Sequence, residues 1–301
     1  MKIGTTTMKL IVKWMGKADH KRRKTWPSID AYRHRLDIDA LGDQNFFHQF
    51  DVFYADESKR NGNVVIDIHG GAYIYGDRKN NFGFASVFLD RGFDVVLLDY
   101  EPNDGSRDCI SQIQTLAAEL AYLQSHAEEL GLDSSRFHLM GDSAGGHFAL
   151  FLAECAQNLE ISSQIGVHLN GISFSSVAAI CPVYDFHRSV HTPLMNDKAK
   201  AVMFGSIYQD EAKVALIDPR VYRSALTQPL FVSTCRNDFL IEESRSIKED
   251  WEKDGKPLEF VFVDNKSQKV GHVHNVTDIG LSDSVRVNEA IISFFQKHSN
   301  N

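Results

Sequence analysis

In the run Gly141-Asp142-Ser143-Ala144-Gly145-Gly146, a serine stands two residues from a glycine on either side. A serine hydroxyl is a weak nucleophile until a base takes its proton, so it must be held where a base can reach it. Flanking glycines let a strand turn sharply into a helix with the serine at the tip. The context agrees. Arg136 to Met140 reads as a strand, and the segment with Phe148, Leu150, Leu152 and Ala153 reads as a helix. The chemistry of such a hydroxyl is attack on an acyl carbon.

Attack on a carbonyl creates an oxyanion, which needs hydrogen-bond donors already in place. His69-Gly70-Gly71-Ala72-Tyr73 follows a strand-like run and offers amides with no side chain in the way. Gly70 and Gly71 are therefore expected to donate. Ala144, just after the serine and at a helix N-terminus, is the third expected donor.

The serine also needs a base, and the base needs an orienting carboxylate. If the order along the chain is serine, acid, histidine, the acid should follow a later strand. Asp238, after Pro229 to Thr234, is the expected acid, with Asp185, after the preceding strand, as the alternative. The base is one of His272 and His274. His272, first after the loop, is preferred, since an imidazole is poised to exchange protons near neutral pH. Tyr73, Asp142 and Tyr184 are expected to meet the substrate. Phe186, Phe204 and Tyr208 are further aromatics of the mouth, with ordinary packing as the competing reading for each. The remaining histidines show no metal-ligand spacing and His-Glu-x-x-His is absent, so neither metal nor cofactor is expected.

These residues need a scaffold. Val64 to Ile68, Asp94 to Tyr100, Arg136 to Met140, Ser176 to Cys181, Pro229 to Thr234 and Leu258 to Val263 are short apolar runs. Phe46 to Tyr54 reads as an antiparallel or edge strand. Helical spacing marks Ile110 to Leu130 and a closing amphipathic stretch, Ser282 to Lys297. Strands of this kind separated by helices predict an α/β fold, a mostly parallel sheet covered on both faces. A single domain over residues 1–301 is expected. About 1–30 and about 184–227 fall outside the rhythm and are expected to form a small lid or cap, with helical fragments at Asp197 to Phe204 and Asp210 to Leu216.

His69-Gly70-Gly71-Ala72-Tyr73 together with Gly141 to Gly146 resembles the hormone-sensitive-lipase-like carboxylesterases of the α/β-hydrolase superfamily. Tyr100-Glu101-Pro102 and Asp238-Phe239-Leu240 are similar to two further motifs of that group. The likeness runs from about Asn63 to the end. It implies an α/β-hydrolase fold, hydrolysis of an ester through an acyl-serine, no metal, and a lid built from the N-terminus and an insertion. Short-chain or aromatic acyl esters are the expected substrates. The same triad would serve an amidase, arylformamidase or peptidase, and a third reading is a ligand-binding protein that keeps the fold without turnover.

The formal net charge of −8 argues against nucleic acid or an anionic membrane as partner. A small-molecule ester is the expected partner, and assembly as a homo-oligomer is left open. His20 to Lys24 is the one dense basic run, read as a solvated helix end. The four cysteines are widely spaced with no Cys-x-x-Cys pair, and Cys155, Cys181 and Cys235 sit inside apolar stretches as buried free thiols do, which suggests a reducing compartment. Met1 to Lys24 shows no uninterrupted apolar core of a secretory leader, so a cytoplasmic protein is expected.

Overall fold

The computed structural model describes residues 3–299, so the first two and last two residues of the expected domain lie outside it. Its centre is an eight-stranded sheet. The strands are β1 (Arg33–Asp39), β2 (Gln49–Tyr54), β3 (Val64–Ile68), β4 (Asp94–Leu98), β5 (Phe137–Asp142), β6 (Ser176–Ile180), β7 (Leu230–Cys235) and β8 (Leu258–Val263). They lie in the order β1-β2-β4-β3-β5-β6-β7-β8. From β4 through β3 to β8 all neighbours are parallel, while β2 runs antiparallel to both β1 and β4.

The parallel strands are continuous apolar runs because helices cover both faces. Successive side chains of β3 alternate between two cores. Val64, Ile66 and Ile68 pack with Ile113, Leu116 and Leu120 of the helix Cys109–His126 and with Phe148 of the helix Ala144–Gln157. Val65 packs with Phe84 and Phe88 of the helix Phe82–Leu89 and with Ile291 and Phe295 of the closing helix Ser282–Lys297. Asp108 starts the helix Cys109–His126 by accepting from the amides of Ile110 and Ser111, a cap of about 1 kcal/mol.

Some elements differ from expectation. Phe46–His48 is a 3₁₀ turn, and the strand that follows is antiparallel, one of the two expected alternatives, but not at the edge, because β1 lies outside it. The helices Phe82–Leu89 and Ile241–Lys253 were not anticipated. The N-terminal segment is a helix, Thr5–Arg23, whose last turn carries His20, Lys21, Arg22 and Arg23 where the helix dipole favours cations. It meets the 184–227 insertion directly. The Ile3 amide donates to the Leu194 carbonyl at 2.7 Å, and the Asn196 amide to the Ile3 carbonyl at 3.1 Å. The insertion itself folds as short helices, Phe186–Val190, Asp197–Phe204, Glu211–Leu216 and Pro219–Tyr222. Among the described residues no helix is long and apolar enough to cross a membrane. All four cysteines are buried free thiols.

The chain leaves β3 for β4 on one side and comes back to β5 on the other. In open α/β sheets such a switch of direction leaves a crevice at the carboxyl ends of the strands. Ile68 pairs with Gly141, so the glycine loop after β3 and the serine turn after β5 emerge side by side.

Candidate active site

Ser143 sits at the junction of β5 and the helix Ala144–Gln157 with φ 53° and ψ −116°. A non-glycine residue is rarely held there, and such strain persists only where its surroundings enforce it. They do so here. The Ser143 amide donates to the Ile180 carbonyl at 2.8 Å, and its carbonyl accepts from the Val183 amide at 3.2 Å. The glycine requirement is steric: a Cβ on Gly145 would lie 2.0 Å from the Ile68 carbonyl oxygen.

His272 Nε2 is 2.9 Å from Ser143 Oγ, and His272 Nδ1 is 2.6 Å from Asp238 Oδ1. Asp238 arrives just after β7 and His272 after β8. Burial alone would push the Asp238 carboxyl up. The hydrogen bond and charge of His272, the Thr234 hydroxyl (2.7 Å) and the Leu240 amide (2.9 Å) outweigh it and hold the group below the usual carboxylate range. An ionised Asp238 can only accept, so Nδ1 carries the ring proton and Nε2 is left to accept from the serine hydroxyl. That is the polarity a general base needs.

The histidine loop is fastened by a residue not singled out in the sequence. Asn237 Nδ2 reaches the carbonyls of Ser267 (2.9 Å), Val270 (3.0 Å) and Asn265 (3.2 Å). Val273, next to His272, is held at φ 50°, a costly position for a β-branched residue, and its amide donates to Cys181 Sγ at 3.4 Å. Ala72, Tyr73 and Cys181 also have positive φ. The strained non-glycine backbone is thus concentrated around the serine.

The two alternatives are placed elsewhere. His274 is buried, with Nδ1 2.9 Å from the Ser284 hydroxyl under the closing helix. Asp185 caps the helix Phe186–Val190 through the Arg188 amide and pairs with Arg220 at 2.8 Å. Neither faces Ser143.

Several expected contacts are corrected. Gly70 does lie against the serine, since a Cβ there would sit 3.1 Å from Ser143 Cβ. Its amide, however, donates to Asp142 Oδ1 at 3.0 Å and is not free for an oxyanion. The amides of Gly71 and Ala144 have no acceptor among the described residues. Asp142 is buried and does not open to a substrate, because Asn81 Nδ2 bridges it to Asp67, 2.8 Å from each. Burial and the neighbouring Asp142 push the Asp67 carboxyl up to about 8. Tyr184 is fully buried, its hydroxyl on Asp250 at 3.0 Å. Tyr73 is buried too, with its hydroxyl 3.0 Å from His147 Nδ1 and its ring edge-on to Phe148 and Phe186. His147 Nε2 donates to the Ile217 carbonyl at 2.7 Å, so Nδ1 accepts from Tyr73.

Two further residues were missed. Arg78, fully buried, ties Asp51 (3.0 Å), Asp99 (2.9 Å) and the Phe46 carbonyl (2.7 Å) together. Asp99 in turn lies 3.2 Å from His69 Nε2, fixing the start of the glycine loop. Phe239, beside Asp238, is 75% exposed with its ring 4.2 Å from the His272 ring, an aromatic rim over that imidazole. Its place in Asp238-Phe239-Leu240 was the available signal.

The family model described as BD-FAE matches residues 50–250 of this chain. The isoprenylcysteine alpha-carbonyl methylesterase ICME of Arabidopsis thaliana is 25% identical over 246 residues, which cover 74% of this chain and 52% of that protein. Lipase 2 of Moraxella sp. (strain TA144) is 33% identical over 98 residues, 30% of this chain and 21% of that protein. The chain thus matches about half or less of the length of these curated relatives. Among solved structures, esterase B from Lactobacillus rhamnosis superposes with a TM-score of 0.84 at 23% identity, covering 97% of this chain and 96% of that one. A bacterial heroin esterase superposes at 0.67 with 19% identity, covering 100% and 95%. The sheet order, the turn at Ser143 and these likenesses are those of the α/β-hydrolase fold, and with residues 50–250 inside its model the chain belongs to the BD-FAE family.

Proposed function

We propose that the chain is a serine carboxylesterase acting on short-chain or aromatic acyl esters through an acyl-serine intermediate. The observation that carries this is the continuous relay Asp238–His272–Ser143, with 2.6 and 2.9 Å between successive partners. In the proposed reaction Ser143 Oγ attacks the ester carbonyl as His272 Nε2 takes its proton. The amides of Gly71 and Ala144 receive the oxyanion, the latter at the positive end of a helix. His272, protonated and steadied by Asp238, returns the proton to the departing alcohol. A water activated in the same way then releases the acid. The esterase, lipase and methylesterase names of the similar proteins support the class of bond.

The acyl preference rests on packing. Tyr73, Phe148, Phe186 and Phe204 fill the space beneath the insertion, with ring centroids 5.5 to 6.1 Å from Tyr73. This favours a small acyl group, and the exposed face of Phe239 offers an aromatic one a partner. The N-terminal helix and the 184–227 insertion act as the cap. Turnover of p-nitrophenyl acetate, butyrate and a hydroxycinnamate ester tests the reading. Ser143→Ala should retain the fold and lose turnover, and near-normal activity in that variant would refute it. Matched ester and anilide substrates separate an esterase from an amidase.

A further inference from the structure

Away from the serine, two imidazoles and a carboxylate meet on the insertion. His187 lies in the helix Phe186–Val190, His191 follows one turn on as its C-cap, and Glu211 opens the helix Glu211–Leu216. The sequence expectation of no metal-ligand spacing overlooked this pair, whose third partner is remote in the chain. His187 Nε2 is 3.3 Å from Glu211 Oε2, and His191 Nε2 is 3.0 Å from Glu211 Oε1. One ligand atom from each residue falls within 4.8 Å of the other two.

The ligand atoms of a tetrahedral ion, about 2.0–2.1 Å from it, stand roughly 3.4 Å apart, so three exposed side chains whose ligand atoms already lie within 4.8 Å of one another can close on one ion by small rotations. Two imidazoles with one carboxylate are borderline donors that suit Zn²⁺; Ca²⁺ and Mg²⁺ call for oxygen sets, and Cu(I) for thiolates or thioethers. The side chains are 38 to 67% exposed, so a metal can enter from solvent and water can complete its shell. The backbone beneath is already braced, the His187 amide donating to Asp218 Oδ2 at 2.9 Å.

We propose that His187, His191 and Glu211 form a zinc site that fastens two helices of the insertion to each other. The adjoining Phe186 stacks on His147, with centroids 4.8 Å apart, and lies edge-on to Tyr73 at 6.1 Å. A zinc ion there stiffens the aromatic wall of the cap. The site is independent of the proposed esterase reaction and stands or falls without it.

The test is titration of the metal-free full-length chain with ZnCl₂ against a chromophoric chelator, alongside thermal unfolding. One equivalent should bind at micromolar concentration and raise the melting temperature. His191→Ala should weaken binding by about 100-fold or more, since even the loss of a group supporting a metal ligand costs 10–100-fold. His187→Ala should do the same, and circular dichroism shows whether these exposed substitutions leave the fold intact. Cys181, Asp238 and His272 also come within 4.8 Å of one another, so His272→Ala is the control and should still bind zinc. No binding at micromolar concentration, full binding by the His187→Ala/His191→Ala double variant, or loss confined to His272→Ala would overturn the proposal.

Discussion

Replacing Asp238 by asparagine removes one charge from the relay and almost no volume. In the folded chain Oδ1 accepts from His272 and from the Leu240 amide, while Oδ2 accepts from the Thr234 hydroxyl. An asparagine can keep its oxygen on the first two partners and turn its NH₂ toward Thr234, whose hydroxyl can rotate to accept. The His272 tautomer then survives, and what is lost is attraction between the carboxylate and the imidazolium formed during the reaction. With charge centres roughly 4 Å apart and an effective dielectric of about 20, that attraction is about 4 kcal/mol. Each 1.36 kcal/mol is tenfold in rate, so kcat should fall about a thousandfold with KM nearly unchanged. The assay is steady-state hydrolysis of p-nitrophenyl butyrate by the purified Asp238→Asn variant, with its fold checked by circular dichroism. A kcat within tenfold of the parent would refute the reasoning, because a carboxylate at 2.6 Å would then contribute almost nothing.

Three further outcomes are expected. His272→Ala should lose more than about a thousandfold in kcat, as loss of the base does in such triads, whereas His274→Ala should keep turnover and lose stability by about 1 kcal/mol with the Ser284 hydrogen bond, read from urea unfolding. Asp185→Asn should leave kcat within a few-fold while lowering the melting temperature, since it weakens a helix cap and the Arg220 pair; a collapse of kcat in a folded variant would return Asp185 to the relay. The Asp67 carboxyl is raised to about 8, so between its ordinary value near 4 and 8 the folded chain holds a proton that the unfolded chain releases. Its contribution to stability is therefore whole in acid, falls as pH rises across that window and levels off above 8, and Asp67→Asn should flatten the slope in unfolding midpoints measured from pH 5 to 9.

The residues legible in the sequence are those whose role is local. The serine turn needs only its glycines, a strand before it and a helix after it, all contiguous from Phe137 to Gln157. His272 and Asp238 could be singled out because each follows a strand of the parallel sheet, whose carboxyl ends share one edge; Asp185 follows such a strand too, and its pairing with Arg220 shows only in the folded chain. The closing helix Ser282–Lys297 had a clear apolar stripe. What escaped depends on distant partners. β1, Arg-His-Arg-Leu-Asp-Ile-Asp, is a half-exposed, charged edge strand with little apolar signal. The helix Ile241–Lys253 is mostly charged, and Ile247 and Trp251 alone anchor it in the hydrophobic core. Tyr184 looked like a mouth residue until Asp250 claimed its hydroxyl, and Gly70 looked like an oxyanion donor until Asp142 claimed its amide. Both claims cross more than sixty residues of chain.

The central claim is that Ser143 Oγ is a nucleophile activated by His272. Its most direct measurement is reaction with a fluorophosphonate, followed by mass spectrometry of the digested chain. One adduct per chain is predicted, on the peptide bearing Ser143, absent from Ser143→Ala and formed far more slowly by His272→Ala. An adduct on another residue, or labelling of Ser143 at an unchanged rate without His272, would contradict it.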